Sequence, residues 1–391
     1  MGSETRIAIA GGGIGGLASA LLLARFGHEV DLFERAPALS EVGAGIQLSP
    51  NVGRVLSALG LDAALDAKAV RPDHVAMRSG RDGREITRVT LGDTAEVRFG
   101  APYRVIHRAD LQAILLAAAE ADPRIALHLD APVTHLRTEG DAIELTVADE
   151  TWRAPLLVGA DGVRSVVRAA IDGRTARPTG QTAWRTIIPA DPHDEQAARR
   201  VDLWLAPDAH VVRYPIAAGT LTNIVVVTAD RPGDPSQPDE ATALPTGVGR
   251  RLAPDLQALL ARSDSWTRWP LAAVAPDARW VRGPIALVGD AAHAMLPFLA
   301  QGGAMAIEDA CELAAAIALH GPTSQALVAY ERRRKPRVVP IWREARRLER
   351  VYHLGFPAAI ARNLTMATLG PDRLLRRMDR IYGWRPSTLP A

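Results

Sequence analysis

Three glycines and one carboxylate carry the first chemical signal. Gly11, Gly13 and Gly16 lie in the run Gly11-Gly12-Gly13-Ile14-Gly15-Gly16, and Glu34 follows Gly11 by 23 residues. Glycine at the first position permits a tight turn, at the second lets phosphates approach the backbone, and at the third lets a helix pack closely. Exposed amides of the first helical turn face an anion, and a carboxylate ending the next strand accepts from a ribose diol. A dinucleotide is the expected occupant, with Arg35 beside its ribose carboxylate; an acidic residue at this place does not decide between FAD and NAD.

Two later turns repeat the pattern of an apolar strand ending in glycine and aspartate. One is Leu156-Leu157-Val158-Gly159-Ala160-Asp161-Gly162-Val163-Arg164; the other is Gly289-Asp290, followed by His293, Pro297 and Gln301-Gly302-Gly303. Both fall at the carboxyl edge of a sheet, where open α/β sheets bind ligands. Asp290 can accept from a hydroxyl or stabilise its own loop. Arg108 opens a helical pattern, against the usual dipole preference, which suits ligand recognition. Gly45 and Gln47 stand in a glycine-interrupted loop able to pass close to a flat ligand, with the Gln47 side chain directed either at that ligand or at solvent.

His210 and Tyr214 supply an imidazole and a phenol four residues apart. On a strand, positions 210, 212 and 214 share a face, so both groups reach one pocket. Arg185, after Trp184, is a candidate carboxylate partner or an interdomain ion pair. No HExxH pattern or clustered histidine and carboxylate spacing supports a metal.

These groups need elements to hold them. The expected strand, turn, helix and strand run from Thr5 to Glu34, with a short helix over Val52–Leu59. Alternating segments cover 75–99 around a hairpin at Arg81-Asp82-Gly83, and a helix follows from Arg108 to about Ala121. Short strands follow near 125–129, 132–137 and 143–147. Residues 184–270 read as antiparallel strands over 201–205, 210–216 and 221–227, with an exposed loop over 233–249 and a short helix near 254–261. A strand at 285–288 and helices to the C terminus complete the chain. The fold class is α/β: a Rossmann-like dinucleotide-binding domain, the FAD-binding domain of the resemblance below, interleaved with a sheet-rich substrate domain, plus C-terminal helices. The expected division is 1–74, 103–178 and 280–345 for the first, 75–102 and 179–279 for the second, and 346–391 for the helical region.

Composition narrows the class. With 391 residues, 48% of them hydrophobic, the chain can bury a large core. The 46 basic and 44 acidic residues leave a formal charge of +2, so no global field suggests nucleic acid. The basic run Arg332-Arg333-Arg334-Lys335 lies in a helical pattern and reads as a solvated face. The single cysteine, Cys311, excludes an intrachain disulfide and sits in an apolar helical pattern that predicts burial. No cleavable leader or membrane-spanning stretch is read, so a soluble cytoplasmic protein, monomer or homodimer, is expected.

Together the three turns resemble those of the single-component, FAD-dependent aromatic hydroxylases, the group A flavoprotein monooxygenases. The glycine fingerprint with Glu34, the Asp161-Gly162 turn with Arg164, and Gly289-Asp290 with Pro297 and Gln301-Gly302 occur in the family's order, over roughly residues 5–345. Gly43 to Ile46 and the His210-x-x-x-Tyr214 pattern are most similar to the salicylate, 3-hydroxybenzoate and 6-hydroxynicotinate hydroxylase branch. The resemblance implies noncovalent FAD, with Glu34 at the adenosine ribose, Arg108 at the diphosphate, Asp161 and Asp290 along the FAD, and Gly302 and Gly303 near the flavin. It implies NADH or NADPH as a transient donor, dioxygen, and hydroxylation of a small phenolic acid through a flavin C4a-hydroperoxide. His210 and Tyr214 are then the catalytic pair, His210 as the base or proton relay for the substrate hydroxyl and Tyr214 in contact with the substrate, while Gln47, Arg185 and Gln301 bind substrate. Gln47 stands where related 6-hydroxynicotinate hydroxylases carry histidine, a departure that disfavours a hydroxypyridine carboxylate. His293 belongs to the second aspartate turn, which it is expected to support. Hydroxylation of a larger aromatic or polyketide, another flavin oxidoreductase activity, and a nonenzymatic FAD sensor stay open; substrate-dependent NAD(P)H turnover with oxygen gain separates them.

Overall fold

A computed structural model describes residues 6–39, 44–140, 142–230, 239–241, 243–244, 248 and 252–389. Gly43 and most of the 233–249 segment lie outside these residues.

Two sheets organise the molecule. The first has six strands in the order Val281–Arg282, Ile285–Leu287, Leu157–Gly159, Ile7–Ala10, Val30–Phe33 and Ile125–His128. All but the first pair run parallel. Its central strands are unbroken apolar runs because both faces are covered: all four residues of Ile7–Ala10 are buried. The helix Ile14–Arg25 follows, and ten of its positions, including Leu17, Leu22 and Leu23, are buried between this sheet and the helix Gly302–His320. Each fully buried leucine there stabilises the fold by about 1.5–3 kcal/mol relative to exposure. Gly27, at φ +88°, provides the left-handed residue just beyond the helix end. Strand order reverses on either side of Ile7–Ala10, so the crevice outside its carboxyl end is the fold's natural ligand position.

The second sheet has eight strands in the order Asp239–Ala241, Trp266–Ala273, Arg177–Pro189, Leu221–Ala229, Ala209–Ile216, Arg200–Ala206, His74–Ser79 and Glu85–Thr90. The only parallel pair among them is Arg200–Ala206 with His74–Ser79. Registers put Trp184, Trp204, Val211 and Val226 on one face, where the helix Pro254–Leu260 covers them with Leu256, Leu259 and Leu260. By the two-residue alternation of strands, Arg185, Val225, Val212, Tyr214, Asn223 and His210 all belong to the opposite, inner face.

Two expectations change. Residues Gly92–Phe99 form a helix instead of continuing the alternating strands; Ala95 and Phe99, four apart, are its buried positions. The basic run is not wholly solvated: in the helix Ser324–Tyr352, Arg334 is 1% exposed. The C-terminal segment packs back on the rest of the chain, where Tyr382 meets Phe99 and Tyr103 edge-on and Arg54 donates to the carbonyls of Tyr382 and Trp384. Among the described residues no helix is long and apolar enough to cross a membrane.

Candidate active site

The glycine turn is built as its spacing predicts. Gly11 takes φ +106°, and a Cβ there would lie 2.6 Å from the Ala160 carbonyl oxygen, so the Asp161-Gly162 turn packs directly against it. A Cβ on Gly16 would sit 1.8 Å from the Gly11 carbonyl oxygen, whereas one on Gly13 would meet nothing within 4 Å. Gly13 therefore faces open space at the start of a helix with neither a side-chain cap nor an acidic first turn. The Glu34 carboxylate accepts from the amides of Gly12 (2.7 Å) and Ala36 (2.9 Å), which fixes it on the rim of that space. Arg35 beside it is exposed.

Asp161 accepts through one oxygen from the Val166 and Val167 amides at 2.7 and 3.1 Å. Its other oxygen, Oδ1, is buried without a hydrogen-bond partner, the mark of an acceptor waiting for a donor. Arg108 starts the helix Arg108–Glu120, and its amide donates to the Ala44 carbonyl (3.0 Å), anchoring the strand Gly45–Leu48. The helix Gly302–His320 also starts without a side-chain cap; Gly303 lies so close to Ile46 that a Cβ would come within 2.7 Å of it. Asp290, exposed at the start of a short helix, has its Oδ1 4.0 Å from where a Gly302 Cβ would stand. Pro297 begins the single turn Pro297–Leu299 that directs Phe298 into the core below the second sheet.

Facing these turns is the inner face of the eight-stranded sheet. Tyr214 packs on Gly45, where a Cβ would fall 2.4 Å from its ring, and Asn223 accepts from the Gly45 amide at 2.7 Å. Gln47 accepts from the Tyr103 hydroxyl and bonds with Tyr214. Burial raises the Tyr214 phenol above its usual range despite the opposing effects of Arg185 and the Gln47 bond. Tyr214 thus stays a neutral hydroxyl, fit to hydrogen-bond but not to accept a proton as phenolate. Four residues away, about 13 Å along the strand, His210 is 2% exposed and its ring centroid lies 4.7 Å from that of Phe298. Between these buried ends, Val212, Val225 and Arg185 are only partly buried, and Arg185 stacks over Trp269 at 5.5 Å. The partly exposed middle of this face, with Val212, Val225 and Arg185 between the neutral Tyr214 phenol and the His210 imidazole, forms the candidate substrate cleft.

Gln301 occupies a different environment. Its amide is committed to a buried network: it donates to Ser49 Oγ (3.0 Å) and accepts from Asn51 (3.2 Å), which also donates to Glu308 (2.7 Å). Arg334 binds Glu308 at 2.6 Å and Asp309 at 2.7 Å, and Arg337 joins Glu308. Asp309 accepts from the Gly289 amide (2.9 Å) and pairs with His293 (2.5 Å), so His293 braces the second aspartate turn. Burial would raise the Asp309 carboxyl, but His293, Arg334 and the Gly289 amide outweigh it and hold it below the usual range.

A sequence profile described as an FAD binding domain matches residues 4–345. The chain belongs to this FAD-binding family. It is 35% identical to a 3-hydroxybenzoate 6-hydroxylase of Klebsiella oxytoca over 98% of each chain. A 3-amino-4-hydroxybenzoate 2-monooxygenase of Streptomyces cremeus is 38% identical over 97% of this chain and 96% of its own. A salicylate hydroxylase solved as a substrate complex superposes with a TM-score of 0.81 at 25% identity, covering 98% of this chain and 96% of the other. Family and full-length relatives make the protein an FAD-dependent aromatic monooxygenase. The cradle suits FAD: an open glycine turn, two uncapped helix starts and the unpaired Asp161 oxygen offer the donors and acceptors that phosphates, ribose and flavin require.

Several residues of the flavoprotein's cleft escape sequence reasoning. Tyr103 and Asn223, which brace Gln47 and Gly45, come from distant segments, although a lone asparagine within the apolar strand Leu221–Ala229 was a usable signal. His353, beyond the end of the helix Ser324–Tyr352, reaches His210: His210 Nδ1 and His353 Nε2 are 3.0 Å apart. Nothing in its local sequence announces this. Burial, reinforced by the second ring, lowers His210 well below the ordinary imidazole value; burial likewise brings His353 down to about 4, with Asp208 opposing and Arg362 assisting. The unfolded chain therefore binds protons, at about pH 6.5 and below, that the folded pair refuses. Stability is complete above that pH and falls as pH drops from about 6.5 towards 4, with a slope of up to about 1.4 kcal/mol per pH unit for each histidine. Urea midpoints measured from pH 7 to 4.5 should fall less steeply for His353→Asn than for the native chain; parallel curves would contradict this.

Proposed function

We propose that the substrate is a small hydroxylated aromatic acid, bound in the cleft between the two sheets, and that NADH or NADPH and dioxygen are its co-substrates. The observation that carries this reading is the composition of one sheet face: Val212 and Val225 offer an apolar floor for a ring, with Arg185 level with them on the neighbouring strand, Tyr214 at one end and His210 at the other. Arg185 pairs with the substrate carboxylate. Tyr214, held by Gln47, hydrogen-bonds a ring substituent, and His210 takes the proton of a ring hydroxyl. An oxyanion enriches its ortho and para carbons, which is what an electrophilic oxygen needs. Gln301 positions the loop and helix start beneath the ring through Ser49 and Asn51.

Gly11, Gly13 and Gly16 receive the FAD diphosphate with Arg108, Glu34 and Arg35 the adenosine ribose, Asp161 and Asp290 the remaining hydroxyls, and Gly45, Pro297, Gly302 and Gly303 line the flavin. When bound, FAD supplies the electron transfer and oxygen activation; the protein orients the ring and excludes water. Gly13→Ala tests the cradle. No protein atom opposes the new methyl, so apoprotein stability should stay within about 0.5 kcal/mol of native, while FAD affinity drops about 10-fold or more, equivalent to about 1.4 kcal/mol. Fluorescence titration of the apoprotein reads this, and unchanged affinity would remove Gly13 from the site.

The function is tested by NADH and NADPH oxidation across 3-hydroxybenzoate, 3-amino-4-hydroxybenzoate, salicylate, simple phenols and hydroxypyridines. Stimulation by acids carrying a ring hydroxyl, and much less by the same phenols without the carboxylate, is the expected result. Arg185→Met should abolish that preference. Equal stimulation by uncharged aromatics would overturn the assignment of an acid.

A further inference from the structure

We propose that His353 forms, with His210, a two-histidine relay that carries a substrate proton from the closed end of the cleft to solvent. The inference rests on the hydroxylation reading of the cleft and adds a positioning residue from the C-terminal part of the chain. Three observations support it. The rings are in hydrogen-bonding contact at 3.0 Å through Nδ1 of His210 and Nε2 of His353. His210 is buried whereas His353, at the end of its helix, is partly exposed, so the pair spans from interior to surface. Phe298 and Tyr352 pack around His210 at 4.7 and 5.8 Å between centroids, and Phe298 lies 5.6 Å from His353, which seals the contact with rings.

The geometry restricts what the pair can do. With Nδ1 turned to His353, the opposite nitrogen of His210, Nε2, points away from it. Two neutral imidazoles in contact share one hydrogen, so His210 Nδ1–H donates to His353 Nε2 in the arrangement that leaves Nε2 of His210 as an acceptor. The groups acting on His353 are Asp208 and Arg362; the Asp208 amide donates to the His353 carbonyl at 3.4 Å, and Arg362 donates to the carbonyls of Val351 and Tyr352 at 3.1 and 2.7 Å, fixing the helix end. On His210 the second ring acts together with burial. Since burial disfavours the imidazolium on both rings, the pair passes a proton on near neutral pH and does not store it.

The transfer balances without any redox change. The substrate O–H proton goes to His210 Nε2, the His210 Nδ1 proton goes to His353 Nε2, and the His353 Nδ1 proton leaves to water. The oxyanion stays on the substrate. The reverse sequence reprotonates the product oxygen and restores both tautomers.

Stopped-flow mixing of the FAD-loaded enzyme with the hydroxybenzoate that best stimulates turnover, in weak buffer with a pH indicator, reads proton release and phenolate absorbance together. The native enzyme should show both. His353→Ala should slow release by about 10²-fold, the lower end of what a positioned proton-transfer group contributes, with substrate affinity little changed and the rate restored by added imidazole. His353→Asn, closer in shape, guards against a packing defect and should be slow too. Native-rate release in both variants, or slow release that imidazole leaves untouched, would overturn the relay while the native phenolate signal upholds the cleft reading. Absence of phenolate in the native enzyme would overturn that reading and the relay with it.

Discussion

His210→Asn should lower the rate of aromatic hydroxylation by about 10²–10⁴-fold, the range associated with a positioned proton-transfer group. The variant keeps a polar side chain of similar volume against Phe298 and removes the two-nitrogen imidazole. FAD content and substrate affinity should change little, because His210 belongs to the eight-stranded sheet, apart from the glycine turns, and Arg185 and Tyr214 remain to hold the substrate. The loss should therefore fall on turnover and not on half-saturation. It should also be smaller above the pKa of the substrate hydroxyl, about 10 for a simple phenol, where solvent supplies the oxyanion. Product formation followed by chromatography at pH 7 and at the highest pH the enzyme tolerates checks both points. A variant within twofold of native at pH 7 would remove His210 from the chemistry.

The second large effect is structural. Arg334→Met should destabilise the protein by about 3–5 kcal/mol, because it leaves the buried carboxylates of Glu308 and Asp309 without the guanidinium that joins them. Both carboxylates are fully buried, and burial lowers the Arg334 guanidinium less than the two carboxylates raise it, so the cation is firmly held. Arg337 still reaches Glu308, but Asp309 keeps only His293 and the Gly289 amide. The damage should spread to the cofactor, since Asp309 braces the Gly289-Asp290 turn and Glu308 ties down Asn51 and, through it, Gln301. Urea unfolding of the apoprotein and FAD titration should both register it. Arg332→Ala, two residues away on the exposed side of the same helix, is the control and should stay within about 0.5 kcal/mol.

The contrast between Arg332 and Arg334 shows where sequence reading reaches its limit. Local spacing placed the glycine turn, the two aspartate turns and the shared strand face of His210, Val212 and Tyr214, because those features depend on neighbours within a few residues. The run of three arginines and a lysine, residues 332–335, also implies a helix, and it is one. Which of its cations goes inward depends on Glu308 and Asp309 of another helix, about 25 residues back, and no periodicity encodes that pairing. The helix Gly92–Phe99 was hidden because Val89, Leu91, Ala95 and Val97 continue an alternating pattern through a change of structure. The family resemblance points Gln301 at substrate, yet the structure spends its amide on Ser49 and Asn51, some 250 residues earlier in the chain. His353 is a further case: its partner His210 lies 143 residues earlier in the chain.

The central claim is that this FAD-binding protein places one oxygen atom on a hydroxylated aromatic acid. Its most direct test is turnover under isotopically labelled dioxygen in ordinary water, with NADH or NADPH and the best hydroxybenzoate of the panel, and mass spectrometry of the recovered acid. The predicted product has gained a single labelled oxygen in step with the nicotinamide oxidised. A product whose new oxygen came from water, or an aromatic acid recovered unchanged while the nicotinamide is consumed with every acid tested, would contradict it.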